Sequence, residues 1–576
     1  MIRKLAAFVG QYKKYAILSP LLVALEVVFE VFIPLLMARI VDVGIPSNDY
    51  PYIFKIGGIM VLMALRALLT GALCARFAVL ASNGFAKNLR MAAFSRIESF
   101  SFKNTDKFTT PSLITRLTND VTNTQQAFQM CIRMLARAPI MMILATVMAL
   151  RISPDLSVII LCAIPFLAAV MALLSRFAFP RFEVMLKKYD LMNASTQENL
   201  VAIRVVKAFV RGEHETVKFR DAAAALKTAQ RRAEKLLVVS MPVLQLTMYA
   251  CILLVVWFGG RDIIGGTLLT GELMSFISYI TQILMSLMML TMVFVNLVLS
   301  SASAKRIVEV LDEEPAINDA GADGTLASVA DGSIEFQDVC FSYAENPDNL
   351  TLSHINLSIR SGETIGIIGG SGSAKTTLVQ LIPRLYDVLS GCVKVGGRDV
   401  RDYRIETLRE SVGMVLQKNV LFSGTIRENL RWGNENATDE ELAEACRAAQ
   451  ADEFIRSFPE GYGTELGQGG VNVSGGQKQR LCIARALVKK PKVLILDDST
   501  SAVDTATDAA IREAFSRLHA ETTVLIIAQR ITSVMDADRI VVMDEGEIDA
   551  VGTHEELLRS NKIYREVYES QQKGVA

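Results

Sequence analysis

Apolar residues dominate the first 300 or so positions in long runs, and six of these reach or approach the roughly 20 residues needed to cross a bilayer. They lie at about 16–41, 53–82, 134–150, 156–178, 236–260 and 273–300. Two long polar stretches compatible with helix, about 84–127 and 180–235, follow the second and fourth runs, and the other connections are short. Beyond residue 333 the pattern changes. Apolar runs become short, as in "TIGIIGG", "VLILDD" and "TTVLIIAQ", the first ending in glycine and the second in acid, which is how buried strands of an α/β domain read. The expected fold is a membrane α-helical bundle of six long spans followed by an α/β P-loop nucleotide-binding domain. The polar, glycine-bearing segment 313–333 serves as linker between residues 1–312 and 334–576.

Charge orients the first half. The polar stretches hold Lys87, Arg90, Arg96, Lys103, Lys107 and Arg116, then Arg181, Lys187, Lys188, Arg204, Lys207, Arg211, Lys218 and Arg220. The short loops opposite them carry Arg151 and Arg261 and little else that is basic. The positive-inside bias puts both termini, both long loops and the second domain in the cytoplasm. The basic N-terminal stretch "MIRKLAAFVGQYKKYA" suits a helix lying on the inner membrane surface. Composition agrees with an integral protein of a plasma membrane, with a bacterium as the expected source: 51% of residues are hydrophobic, while 60 basic and 60 acidic residues cancel. That balance gives no sign of nucleic acid as a partner. The eight cysteines are scattered singly, with neither zinc spacing nor a disulfide framework.

Chemistry enters with "GGSGSAKTT". From Gly369 through Gly370, Ser371, Gly372 and Ser373 to Lys375, Thr376 and Thr377, this stretch follows a phosphate-binding loop, except that Ala374 stands where the last glycine belongs. Backbone N–H groups of such a loop cradle phosphates, the lysine reaches the β- and γ-phosphates, and the hydroxyl of Thr376 ligates Mg²⁺. Further on, Ser474, Gly475, Gly476 and Gln477 open a helix about twenty residues before a strand ending in Asp497 and Asp498.

With SGGQ between a phosphate loop and an acid-ended strand, the chain resembles an ATP-binding cassette exporter half-transporter of the multidrug type, over essentially its whole length. The resemblance implies ATP and Mg²⁺ as cofactors, with Thr376, Gln417 and Asp497 at the metal. It implies that Tyr343 stacks on adenine, that "TELGQGG" (464–470) contacts the cytosolic loops, and that Asp504 in "SAVD" crosses between paired domains. The short coupling helices are expected within 111–120 and 206–215. Two catalytic positions also depart from the family: Asp498 replaces the glutamate that polarises the attacking water, and Gln529 replaces the switch histidine. Shortening the acid withdraws its carboxylate by about one C–C bond, and small misplacements at a reacting centre cost on the order of a hundredfold in rate. Since phosphoryl transfer depends on positioning and charge stabilisation, the site looks built to hold ATP rather than to split it. With the signature Ser474–Gln477 intact, the economical reading is a heterodimer. A non-identical half-transporter then supplies a competent site that this signature completes, and the pair exports hydrophobic or amphipathic compounds, cations among them. A homodimeric exporter of lipid or peptide, or a nucleotide-gated channel, are the alternatives.

In the membrane half, Met241, Met248, Met274, Met285, Met288, Met289 and Met292 crowd the last two spans, as in an adaptable binding wall or as packing. Glu26 and Glu30 lie four residues apart on one face of the first span. At about 1.5 Å per residue, Glu30 and Arg66 of the second span both sit roughly 20 Å below the outer ends of their helices. The expectation is that Glu30 pairs with Arg66, leaving Glu26 to meet cationic substrates.

Overall fold

The computed structural model describes residues 1–319, 328–499, 505–516 and 522–573. It separates into two compact units: residues 1–98 with 110–313, and residues 99–109 with 314–576.

The first unit holds a short helix α1 (Ile2–Ala7) and six long ones. These are α2 (Gly10–Gly44), α3 (Tyr50–Glu98), α5 (Thr110–Ile152), α6 (Pro154–Val201), α7 (Gly212–Ile264) and α8 (Thr270–Asp312). All six are long and apolar enough to span a bilayer, and each contains one of the six apolar runs. Their outward faces carry Leu68, Leu69, Leu253 and Trp257, each at least 60% exposed, as a surface that meets lipid requires. Inward, Val23, Val27, Cys74, Ala145, Leu167, Val255, Phe276 and Ile283 close a dry core. Several polar groups there are satisfied by nearby carbonyls, since lipid offers no hydrogen bonds. Beside Pro34, which interrupts the ladder of α2, Tyr279 donates to the carbonyl of Val31 (2.8 Å) and Ser275 to that of Pro34 itself (2.6 Å). Away from the apolar core, α1 is held by Leu5 and Val9 packing on Phe85, Leu89 and Ile307, and Asn88 donates to the carbonyl of Phe8 (2.9 Å).

The second unit contains helix α4 (Phe102–Phe108) and the C-terminal domain. The domain carries an antiparallel sheet, of order β2-β1-β4-β5, built from β1 (Ile334–Phe341), β2 (Leu352–Ile359), β4 (Ser390–Val395) and β5 (Arg398–Asp399). A six-stranded sheet follows the order β10-β9-β3-β8-β7-β6. Its strands are β3 (Thr364–Gly369), β6 (Val412–Val415), β7 (Val493–Asp497), β8 (Thr523–Ile527), β9 (Arg539–Asp544) and β10 (Glu547–Gly552). All its pairings are parallel except β9 with β10. Every residue of β7 and β8 is buried, which is why both read as unbroken apolar runs.

Helix α4 corrects one expectation. The segment grouped with the nucleotide-binding domain is 99–109, whereas 111–120 belongs to α5 in the first unit. There, Asp120 is buried and takes two hydrogen bonds from Arg306, and Arg116 pairs with Glu309 at 2.7 Å. Residues 206–215 lie in the first unit, at the end of a short helix (Ile203–Ala208) and the start of α7.

Candidate functional site

Parallel strands bring their carboxyl ends to one edge, and ligands of open α/β sheets bind there. The register is explicit. Ile527 lies beside both Ile367 of β3 and Asp497 of β7, and Val415 of β6 lies beside Leu496. The phosphate loop, the two aspartates, Gln417 and Gln529 therefore emerge side by side.

The loop after β3 is tightly specified. A side chain at Gly369 would collide with the carbonyl of Met543, 2.2 Å from its Cβ, and Gly372 has φ +86. Ser373 donates to the Gly370 carbonyl (2.9 Å). Ala374 is the residue before helix α9 (Lys375–Gln380), and its backbone is left-handed, φ 63 and ψ 21. That conformation explains why a glycine is expected there. The methyl group is tolerated sterically, packed against the domain core, but the backbone bears the strain.

Lys375 bridges the carbonyls of Gly369 (3.0 Å) and Gly370 (2.7 Å), and burial lowers its pKa against the pull of Asp497 and Asp498. Thr376 donates to Oδ1 of Asp497 (3.0 Å). The other oxygen of Asp497, Oδ2, is buried without a hydrogen-bond partner, and the residue is 1% exposed. Burial raises the pKa of this carboxyl. A buried carboxylate oxygen left unsatisfied beside a threonine hydroxyl is an incomplete oxygen shell, and it fits Mg²⁺.

Asp498 has a positive φ of 49, and its N–H donates to the carbonyl of Ile527 (3.0 Å). Its Oδ2 accepts a hydrogen bond from the amide of Gln529 at 3.0 Å. Burial raises its pKa, opposed by hydrogen bonds from Gln417 and Gln529. Asp498 and Gln529 are thus bonded to each other.

Tyr343 is 48% exposed and donates or accepts at Thr377 (3.1 Å), with its ring edge-on to Phe341 and Tyr386. Ser474 caps helix α10 (Gly475–Val488). Its hydroxyl accepts from the Gln477 N–H (3.3 Å) while Gln477 accepts from the Ser474 N–H (2.9 Å). Ser474 and Gly475 are exposed, away from the aspartates in sequence and open to a partner. Asp504 lies outside the described residues.

Three residues escaped sequence reasoning. Tyr386 links Tyr343 to α4: it stacks on Phe102, donates to Asp106 (2.7 Å), and is held protonated by burial and that carboxylate. Asn104, 2% exposed, donates to the Glu314 carbonyl (3.0 Å) and accepts from the Ala316 N–H (2.9 Å). No motif marks either residue.

The third is Arg137, and it overturns the membrane pairing. Glu30 bonds Arg137 Nη2 at 2.6 Å and Glu26 bonds Nη1 at 2.5 Å, whereas Arg66 is exposed on α3. The two helices run at matching depth, since Gly71 of α3 faces Glu26 just as Gly44 faces Ile53. Depth does not fix azimuth, however, and the guanidinium that reaches inward comes from α5. The available signal was an arginine inside the third apolar run.

A family model described as the ABC transporter transmembrane region matches residues 16–287, and one described as ABC transporter matches 352–501. YfiB, an uncharacterized ABC transporter ATP-binding protein of Bacillus subtilis (strain 168), is 40% identical over 570 residues, which is 99% of this chain and 98% of its own. An ATP-dependent lipid A-core flippase of Desulfotalea psychrophila (strain LSv54 / DSM 12343) is 34% identical over 486 residues, 84% of each chain. Among solved structures, a bacterial Atm1-family ABC exporter with ATP bound is similar at a TM-score of 0.81 and 25% identity, covering 98% of this chain and 99% of that one.

Proposed function

From the premise that this chain belongs to the ABC transporter family, as an exporter with its transmembrane region and its ATP-hydrolysing domain, we propose that it is one half of a heterodimeric exporter of hydrophobic or amphipathic compounds. In that reading its own phosphate loop forms the slow ATP site, and its signature serves the fast one. The single observation that carries this is the bond from Gln529 to Asp498. A carboxylate set back by one methylene and engaged by a neutral amide is a poor group to polarise water, and no cation stands at the switch position to meet the transition-state charge.

Lys375, Thr376, Asp497 and Gln417 would hold Mg²⁺-ATP, with Tyr343 beneath the adenine. The ion supplies charge neutralisation on the β- and γ-phosphates. Lys375 would turn from the loop carbonyls to the phosphates, and the open Oδ2 of Asp497 would face the metal. The cap at Ser474 fixes the first turn of α10, so that its N–H groups could meet the partner's γ-phosphate. The nucleotide domain and both termini lie in the cytoplasm of a bacterial cell in this reading.

A homodimeric lipid exporter is the rival, favoured by the similarity to the lipid A-core flippase. Purification decides between them. Under the heterodimer reading, the chain prepared alone hydrolyses ATP at background rate and gains steady turnover when mixed with a half-transporter that carries glutamate and histidine. Sustained ATPase activity by the chain alone would establish the rival.

A further inference from the structure

The charged group inside the helical unit does not balance. Arg137 is shared by two carboxylates, Glu26 and Glu30, and the three side chains are 24%, 12% and 31% exposed. Two anions and one cation leave one net negative charge among apolar helices, where uncompensated charge is costly.

The two acids are not equivalent. Glu26 is boxed in, because a Cβ on Gly71 would lie only 3.0 Å from its Oε1 while Arg137 closes the other side. Glu30 instead lines a cavity of about 450 Å³ together with Arg137, Ser278, Gln282, Met285 and Met289. Among the described residues, no other charged side chain borders this cavity. The amide oxygen of Gln282 is buried there and accepts no hydrogen bond. Methionines give a polarizable wall that adapts to flat apolar groups, and the volume falls in the range of small-molecule sites, about 300–1,000 Å³.

We propose that this cavity is a binding site for a monovalent lipophilic cation, whose charge is met by the Glu30 end of the Glu26–Arg137–Glu30 triad, with Met285 and Met289 against its apolar body. The proposal rests on the amphipath-exporter reading and narrows it. Glu26 then acts as a positioning residue that holds Arg137 back from the cavity and takes up part of its charge.

The test uses the full chain in phosphatidylcholine nanodiscs. Binding of tetraphenylphosphonium, and of Nile red as a neutral amphipath, is measured by equilibrium dialysis against empty nanodiscs. Glu30→Gln brings the triad to zero charge and is expected to weaken tetraphenylphosphonium about tenfold while leaving Nile red within about twofold. Arg137→Met makes the triad doubly negative and is expected to strengthen the cation. Glu30→Asp keeps the charge and stays within about threefold, so the pair of Glu30 variants decides the matter even if Arg137→Met fails to fold. Cation binding unchanged by Glu30→Gln, or weakened equally by Glu30→Gln and Arg137→Met, overturns the site. Nile red bound without tetraphenylphosphonium overturns the cation preference alone, whereas neither probe bound overturns the amphipath-exporter reading beneath it.

Discussion

At the residue scale, Ala374 and the Asp498–Gln529 pair carry the argument. A non-glycine residue held at φ 63 carries a standing strain. Ala374→Gly is therefore expected to stabilise the nucleotide-binding unit by about 1 kcal/mol, read as a rise of about 2–4 °C in its unfolding midpoint. A fall would show that the methyl contact with the core outweighs the backbone. The bonded pair predicts non-additivity. Asp498→Glu alone should gain little, because the amide at 529 carries no charge. Asp498→Glu with Gln529→His should raise hydrolysis at this site by on the order of tenfold to a hundredfold. The measurement is residual ATPase activity in a transporter whose other site is disabled, and a flat double variant would shift the defect to Ala374 or to the partner's signature.

At the scale of elements, helix α4 is the informative piece. Its Ser101–Asn104 capping box and the two backbone bonds of Asn104 to residues 314 and 316 make one buried amide do the work of a clasp. Asn104→Ala removes both bonds, to a carbonyl and an N–H on the exposed residues Glu314 and Ala316, at a cost of about 0.5–1.5 kcal/mol each. Faster amide hydrogen exchange across 102–108, with protection of β7 and β8 unchanged, is the expected result. The long helices and the inner strands were legible in the sequence because lipid and double-sided burial both demand unbroken apolar runs. The phosphate loop and the acid-ended strand were legible because phosphate chemistry restricts residue types at fixed spacing. The clasp at Asn104 and the guanidinium of Arg137 were not, since a long-range polar contact leaves no period in the chain. Helix azimuth, which put Arg66 outside and Arg137 inside, is likewise set by packing among several helices and not by depth.

At the scale of the whole molecule, the two roles proposed for the chain should separate by mutation. In the assembled transporter, Ser474→Ala or Gly475→Ala is expected to remove most steady-state ATPase activity, and Asp498→Asn to cost much less. The reverse ranking would put the main hydrolytic site on this chain. A further consequence belongs to the second unit, which is discontinuous: Asn104 and the Glu314 it binds are separated by 210 positions. At ribosomal speeds of about 5–20 residues per second, α4 must wait roughly 10–40 s after its own synthesis before its binding surface exists. During that interval Phe102 lacks Tyr386, the ring it stacks on, while the translocon is occupied with four more spans. Synthesis order thus makes α4 a late-docking element, and any chaperone or slow codon tract that acts on this chain would matter most in that window.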